Sequence, residues 1–354
     1  MSKFLSRRFS SLVPYTPGEQ PRDMEYVKLN TNESPFPPSQ KVIDAVNSEE
    51  VKKLNLYPDP TGKALVSKLA ETYGVKEENV FISNGSDDIL NFSFMAFCDK
   101  DKGAIFPEIS YGFYEVYADL YGIDYKKVPL NSDFSINPTD YFSADKTVVV
   151  ANPNAPTGLA LTVAQVEEIL KANPNDVVII DEAYVDFGAE SCVPLINKYN
   201  NLIVVMTYSK SRSLAGGRLG FAIANKDLIS DLNTIKYSTN PYNINRLTIV
   251  AGIASLEDAE YYKHCNKNTA DVREYTKAEL EKRGFVLTDS KANFLFAKSD
   301  KIGGEQYYLS LKSKGVLVRH FKNDKIKDYV RITIGTKEQM DVLLQKTDEI
   351  LSEV

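Results

Sequence analysis

Six short apolar runs constrain this chain more than anything else in it. They cover residues 79–82, 103–106, 147–151, 177–180, 202–207 and 219–224. Valine and isoleucine dominate several of them without polar alternation, the pattern of strands covered on both faces. Helical patterns lie between the runs. In one, Thr162 and Gln165 form a capping box, and Val166, Ile169 and Leu170 follow on one face. Strands alternating with helices predict an α/β fold around a mostly parallel central sheet flanked by helices.

The character changes after about residue 245. A long helical stretch rich in Lys and Glu runs over 257–283, and strands are expected at 293–297, 316–319 and 329–334. A last helix opens with the box Thr336 and Gln339 and carries Met340, Leu343, Leu344 and Leu351. A chain of 354 residues is long for one hydrophobic core. The expected division is an amino-terminal arm with part of a small domain over 1–35, a large domain over 36–245, and a smaller α+β domain over 246–354.

Composition excludes some function classes. A net charge of -6 argues against a nucleic-acid partner held through its phosphates. Three widely spaced cysteines without a CxxC read as reduced thiols, which suits the cytoplasm. With two histidines and no HExxH pattern, no metal site is expected. No stretch is apolar enough for a bilayer span, so no membrane partner is expected. The basic, serine-rich residues 1–15 read as an ordered arm rather than a targeting segment.

Chemistry gathers just past the apolar runs. Lys210 follows one of them, flanked by Ser209 and Ser211, with Gly216, Gly217 and Arg218 beyond. Such a lysine is ordinarily a solvated surface group. Here serines and an arginine can donate to an anion, and glycines admit a close backbone approach. A lysine amine, unlike a guanidinium, becomes a nucleophile when its pKa is lowered, as a Schiff base requires.

Asp181 ends another run, at the sheet edge where ligands bind in open α/β folds. Alone it would be a turn cap. A pyridine nitrogen needs such a carboxylate to stay protonated, and Tyr184 stands three residues on to donate to a phenolate-like oxygen. At Gly85 and Ser86 a strand turns into a helix whose free N–H groups can bind phosphate. Ser86 as an N-cap, with Asp87 and Asp88 in the first turn, explains the same residues. The stretch from Asn152 through Asn154 to Gly158 is a rigid turn after a fourth run. Tyr111 follows a fifth, as core or as a ring that stacks on a planar ligand.

These residues resemble the fold-type-I pyridoxal-phosphate-dependent aminotransferases, and in detail their histidinol-phosphate branch. The matching stretches are residues 28–35, 56–60, 83–87, 152–158 and 181–184, Ser209 and Lys210 with Arg218, and 330–336. The resemblance implies that Lys210 bears pyridoxal 5'-phosphate, that Asp181 pairs with its ring nitrogen, and that Tyr184 bonds its ring hydroxyl. Tyr111 would stack on the ring. Gly85, Ser86, Asp87, Ser209 and Arg218 would surround the phosphate, with Tyr57 reaching the phosphate of the neighbouring subunit in a homodimer with shared sites.

Arg331 would hold the substrate's anionic group, with Tyr15, Asn32 and Arg319 lining that pocket. The implied reaction moves an amino group from a small-molecule donor, histidinol phosphate, to a 2-oxo acid, 2-oxoglutarate, in histidine biosynthesis. One position departs from the pattern. Where the family usually has an asparagine before Pro-Thr-Gly, this chain has Ala155, leaving Asn152, Asn154 or Tyr184 alone to serve the ring hydroxyl. An aromatic amino-acid aminotransferase and a threonine-phosphate decarboxylase share the cofactor residues. A non-enzymatic regulator of this fold would need an appended DNA-binding module, for which the arm starting by residue 15 leaves no room.

Overall fold

A computed structural model of the chain describes residues 4–9 and 12–354. Residues 1–3, 10 and 11, part of the expected arm, lie outside the described residues.

All six apolar runs form strands of one seven-stranded sheet. Its order is Val80–Ser83, Gly220–Ala224, Leu202–Thr207, Val178–Asp181, Thr147–Ala151, Ala104–Pro107 and Tyr125–Val128. Gly220–Ala224 pairs antiparallel with both neighbours, and the other pairings are parallel. The inner strands are buried along their whole length. That is why they read as unbroken apolar runs.

Successive side chains point to opposite faces of a strand. Val148, Val150, Ile180 and Val204 therefore join one core, and Val149, Ile179, Ile203 and Val205 the other. Helices Ser86–Phe97 and Phe113–Tyr121 cover the second face. The edge strand Tyr125–Val128 was not legible in the sequence. It reads YKKV with both lysines exposed, and edge lysines discourage pairing with another chain.

A second, antiparallel sheet of four strands has the order Arg319–His320, Tyr329–Thr333, Phe294–Ser299 and Phe285–Leu287. The helices Ala259–Lys282 and Lys337–Ser352 pack on it through Val272, Leu280, Leu343 and Ile350. Asp258 separates the first of these from the helix Arg246–Glu257. The strand expected over 316–319 is two. Val316–Leu317 pairs in parallel with Val27–Lys28, and Arg319–His320 joins the four-stranded sheet. The first pairing anchors the amino-terminal segment. Leu29 donates to Leu317 and accepts from Thr333 through its backbone, which leads residues 30–33 towards the main sheet's ligand edge.

That edge is well defined. Ser83, Pro107, Ala151, Asp181 and Thr207 are the last residues of their strands. Gly220, the first residue of the antiparallel strand, is paired with both Ser83 and Thr207.

Candidate active site

A cavity of about 360 Å³ opens at this edge, and Ala151, Asp181 and Thr207 at three strand ends line it. Lys210 enters from the loop after Leu202–Thr207. Its Nζ donates to the Thr31 carbonyl at 3.3 Å and lies 5.9 Å from the centre of the Tyr184 ring. Burial, with a smaller contribution from the Arg331 guanidinium, lowers its pKa to about 8. The amine is therefore partly neutral near physiological pH.

Asp181 is buried at 5% exposure. Its Oδ2 accepts from the Tyr114 hydroxyl at 2.9 Å and its Oδ1 from the Ala183 N–H at 3.2 Å. Burial raises its pKa to about 6, against the opposing pull of the Tyr114 hydrogen bond. It is thus mostly ionised at neutral pH. Tyr184 also lines the cavity. Its hydroxyl accepts from Asn32 Nδ2 at 3.0 Å, and its ring meets Phe294 edge-on.

The turn after Val80–Ser83 makes the third wall. Gly85 has φ +91°, and the helix starts at Ser86 with unpaired N–H groups in its first turn. Two close approaches need glycine here. A Cβ on Gly85 would stand 2.8 Å from Arg218 Nη2, and one on Gly220 would stand 2.5 Å from Ser86 N. Asp87 is the hub of this wall. It accepts from the Tyr111 hydroxyl at 2.6 Å and pairs with Arg218 at 3.2 Å. Ser209 completes the wall, its hydroxyl accepting from Thr207 Oγ1 at 3.0 Å.

The other expected residues divide. Arg331 lies beyond the cavity lining, between the rings of Phe294 and Phe321 at 5.4 and 5.8 Å, with Nη2 donating to the Asn30 carbonyl. Its Nε is buried without a partner. Arg319 donates to the carbonyls of Thr16 and Pro17 at 3.1 Å each and so ties the arm down. Tyr15, on that arm, stacks on Phe113 at 4.4 Å. Burial raises its pKa, while the charges of Arg319 and Arg331 oppose the rise.

Asn154 is not at the cavity. Its amide donates to the Ile109 carbonyl and Thr157 Oγ1, so both N–H groups are used within the protein. Asn152 is likewise bonded to the backbone of Leu161 through both its amide atoms. The lining there is Ala155. Tyr57 also lies away from the cavity of its own chain. It is 78% exposed and stacks on Tyr242, with its carbonyl held by Arg246 Nη2 at 2.9 Å.

Sequence reasoning missed Tyr114, the second residue of the helix Phe113–Tyr121. It also passed over Thr31 and Glu33, which line the cavity, although both fall within the 28–35 stretch that carried the resemblance. The residues present fit pyridoxal phosphate. A buried amine of lowered pKa, a buried carboxylate, and a helix start crowded clear of side chains stand on three walls of one cavity.

The fold and this cavity define an aminotransferase class, and comparison with known proteins agrees. The family described as aminotransferase class I and II matches residues 24–346. The chain belongs to that family. It is 51% identical to a histidinol-phosphate aminotransferase of Brachyspira hyodysenteriae over 99% of each chain. It is 50% identical to one of a Marinomonas species over 97% of this chain and 98% of that one. Among solved structures, the histidinol-phosphate aminotransferase of Clostridium acetobutylicum superposes with a TM-score of 0.85 at 25% identity, covering 92% of this chain and 99% of that one.

Proposed function

We propose that this chain is a pyridoxal-phosphate-dependent transaminase that moves the amino group of histidinol phosphate to 2-oxoglutarate in histidine biosynthesis, as a cytoplasmic homodimer. The observation that carries this reading is the meeting of Lys210 and Asp181 on the walls of one cavity at the sheet edge.

Lys210 would hold the cofactor covalently, Asp181 its ring nitrogen, Tyr184 its ring hydroxyl and Tyr111 its face. Ser86, Ser209 and Arg218 would hold its phosphate, with Gly85 and Asp87 shaping that cradle. When bound, the cofactor supplies an aldehyde that condenses with amines and a ring that takes up the electron pair left by a departing α-proton. Lys210 Nζ would take that proton from the donor's α-carbon, and a pKa of about 8 suits a base working near neutrality. Asp181 keeps a proton on the ring nitrogen through its charge. Arg331 receives the phosphate or carboxylate of either substrate, since a guanidinium fork matches both. Arg319, Tyr15 and Asn32 order the segments around it.

Ala155 supplies no hydrogen bond, and both asparagines of that turn are occupied elsewhere. Tyr184 would therefore serve the ring hydroxyl alone. The exposed Tyr57 is available to the site of a second copy.

A half-reaction survey tests the whole reading. The cofactor-loaded protein is mixed with candidate amines, and its absorption is followed to the aminated form. Histidinol phosphate should convert it fastest and release the matching ketone. Release of carbon dioxide from threonine phosphate would replace the reading with a lyase.

A further inference from the structure

Residues 31–33 are held at the Lys210 amine in an unusual way. Asn32 has φ +56°, a left-handed conformation that non-glycine residues adopt only where their surroundings impose it. Four hydrogen bonds impose it here. Its N–H donates to Thr333 Oγ1 at 2.9 Å, and its Oδ1 accepts from that hydroxyl at 3.0 Å. Its carbonyl accepts from Asn293 Nδ2, and its own Nδ2 donates to the Tyr184 hydroxyl, each at 3.0 Å. The kink sets the Thr31 carbonyl on Lys210 Nζ and puts Glu33 in the cavity wall.

Glu33 is a carboxylate among cations. Lys28 pairs with it at 2.7 Å and Thr31 Oγ1 donates to it at 2.9 Å. Partial burial pushes its pKa up, but the hydrogen bonds from Lys28 and Thr31 outweigh that and hold it below the usual range. Its side chain keeps 43% exposure, so its oxygens retain room for a further donor. The other cavity carboxylates are committed. Asp87 holds Tyr111 and Arg218, and Asp181 is bonded by Tyr114 and Ala183. An ionised, solvent-reachable acid repels a carboxylate and attracts an N–H group.

We propose that Glu33 is a specificity residue which accepts a hydrogen bond from a nitrogen-bearing ring on the amino donor, and so favours imidazole-carrying donors over acidic or plain aliphatic ones. This rests on the donor named above. Lys28 screens Glu33 when the dicarboxylate partner occupies the site, so one cavity serves both half-reactions.

The test compares the wild type with Glu33→Gln. Charge-assisted hydrogen bonds contribute on the order of tenfold or more in affinity, and exposure trims this towards tenfold. The ratio of kcat/KM for histidinol phosphate over glutamate should fall about tenfold in the variant. An unchanged ratio, or equal losses for both donors, would overturn the proposal.

A binding measurement separates this claim from the proposed function. Imidazolylpropyl phosphate carries no amine and cannot react. By calorimetry the wild type should bind it about tenfold more tightly than propyl phosphate, and Glu33→Gln should abolish that preference. If the preference is absent from the wild type or survives in the variant, Glu33 does not read the ring, whatever donor the enzyme turns over.

Discussion

The Tyr114 hydroxyl donates to Asp181 Oδ2 at 2.9 Å, from a helix that covers one face of the sheet. This bond works against the burial that raises the Asp181 pKa. Tyr114→Phe should therefore raise that pKa further, by about one unit if the bond is worth a typical hydrogen bond to a charged group. A neutral carboxyl cannot pair with a protonated ring nitrogen. Cofactor affinity of the cofactor-free protein should weaken as pH falls through about 6 in the wild type, and at higher pH in the variant. Titrations by absorbance between pH 5 and 8 measure this directly. Identical midpoints would remove Tyr114 from the account.

The Lys210 amine attacks only when neutral. With a pKa lowered to about 8, its reactive fraction rises with pH through about 8 and levels above it. The rate at which cofactor-free protein captures the cofactor should follow that curve rather than one centred near 10.5. Lys210→Ala should leave almost no turnover. A positioned general base alone contributes ~10²–10⁴-fold, and the covalent amine adds to it. Single-turnover kinetics with near-normal rates in the variant would contradict the assignment.

Buried Asp181 also has a stability signature in the cofactor-free protein. Its folded pKa, about 6, exceeds the reference of 3.8. A raised folded pKa contributes stability that is fully present below the unfolded value and is lost as pH rises through the folded one. Wild-type thermal stability should thus lose this contribution between about pH 4 and 6, and Asp181→Asn should lack that loss. Melting curves of both proteins across this range decide it. Parallel curves would mean that the carboxyl is not strained by burial.

Gly220→Ala probes the phosphate wall. The new methyl would meet the backbone of Gly85 and Ser86 at 2.5 Å, where no flexible side chain can give way. Overpacking of this kind costs about 1–3 kcal/mol. The variant should unfold at lower denaturant and lose cofactor affinity together. A variant that is fully stable and binds cofactor normally would show that the turn has room.

The sequence made the main strands legible because burial on both faces demands unbroken apolar runs. Its weak points were edges and pairings. Tyr125–Val128 carries exposed lysines, and the split of 316–319 depends on which partner each half finds. In the site, Lys210, Asp181, Ser86, Asp87, Tyr111, Ser209 and Arg218 were found because each follows a strand end with turn chemistry around it, and all line the cavity. Asn154 had equally good local context but stands away from the cavity, since the folded chain uses its amide within a turn, while Tyr57 was expected at a neighbouring subunit and is exposed in this one.

The sequence by itself determined the strands, the edge at which they end, and the residue types gathered there, because periodicity and turn chemistry are local properties of a chain. Only the tertiary structure decided that Tyr114 meets Asp181 across 67 residues, that Asn32 meets Tyr184 across 152, and that Thr333 clamps Asn32 across 301. These contacts close long loops, and no local pattern specifies which side chains meet when such loops close. They oppose the rise that burial gives the pKa of the carboxylate, and they put Glu33 in the cavity wall with the amine.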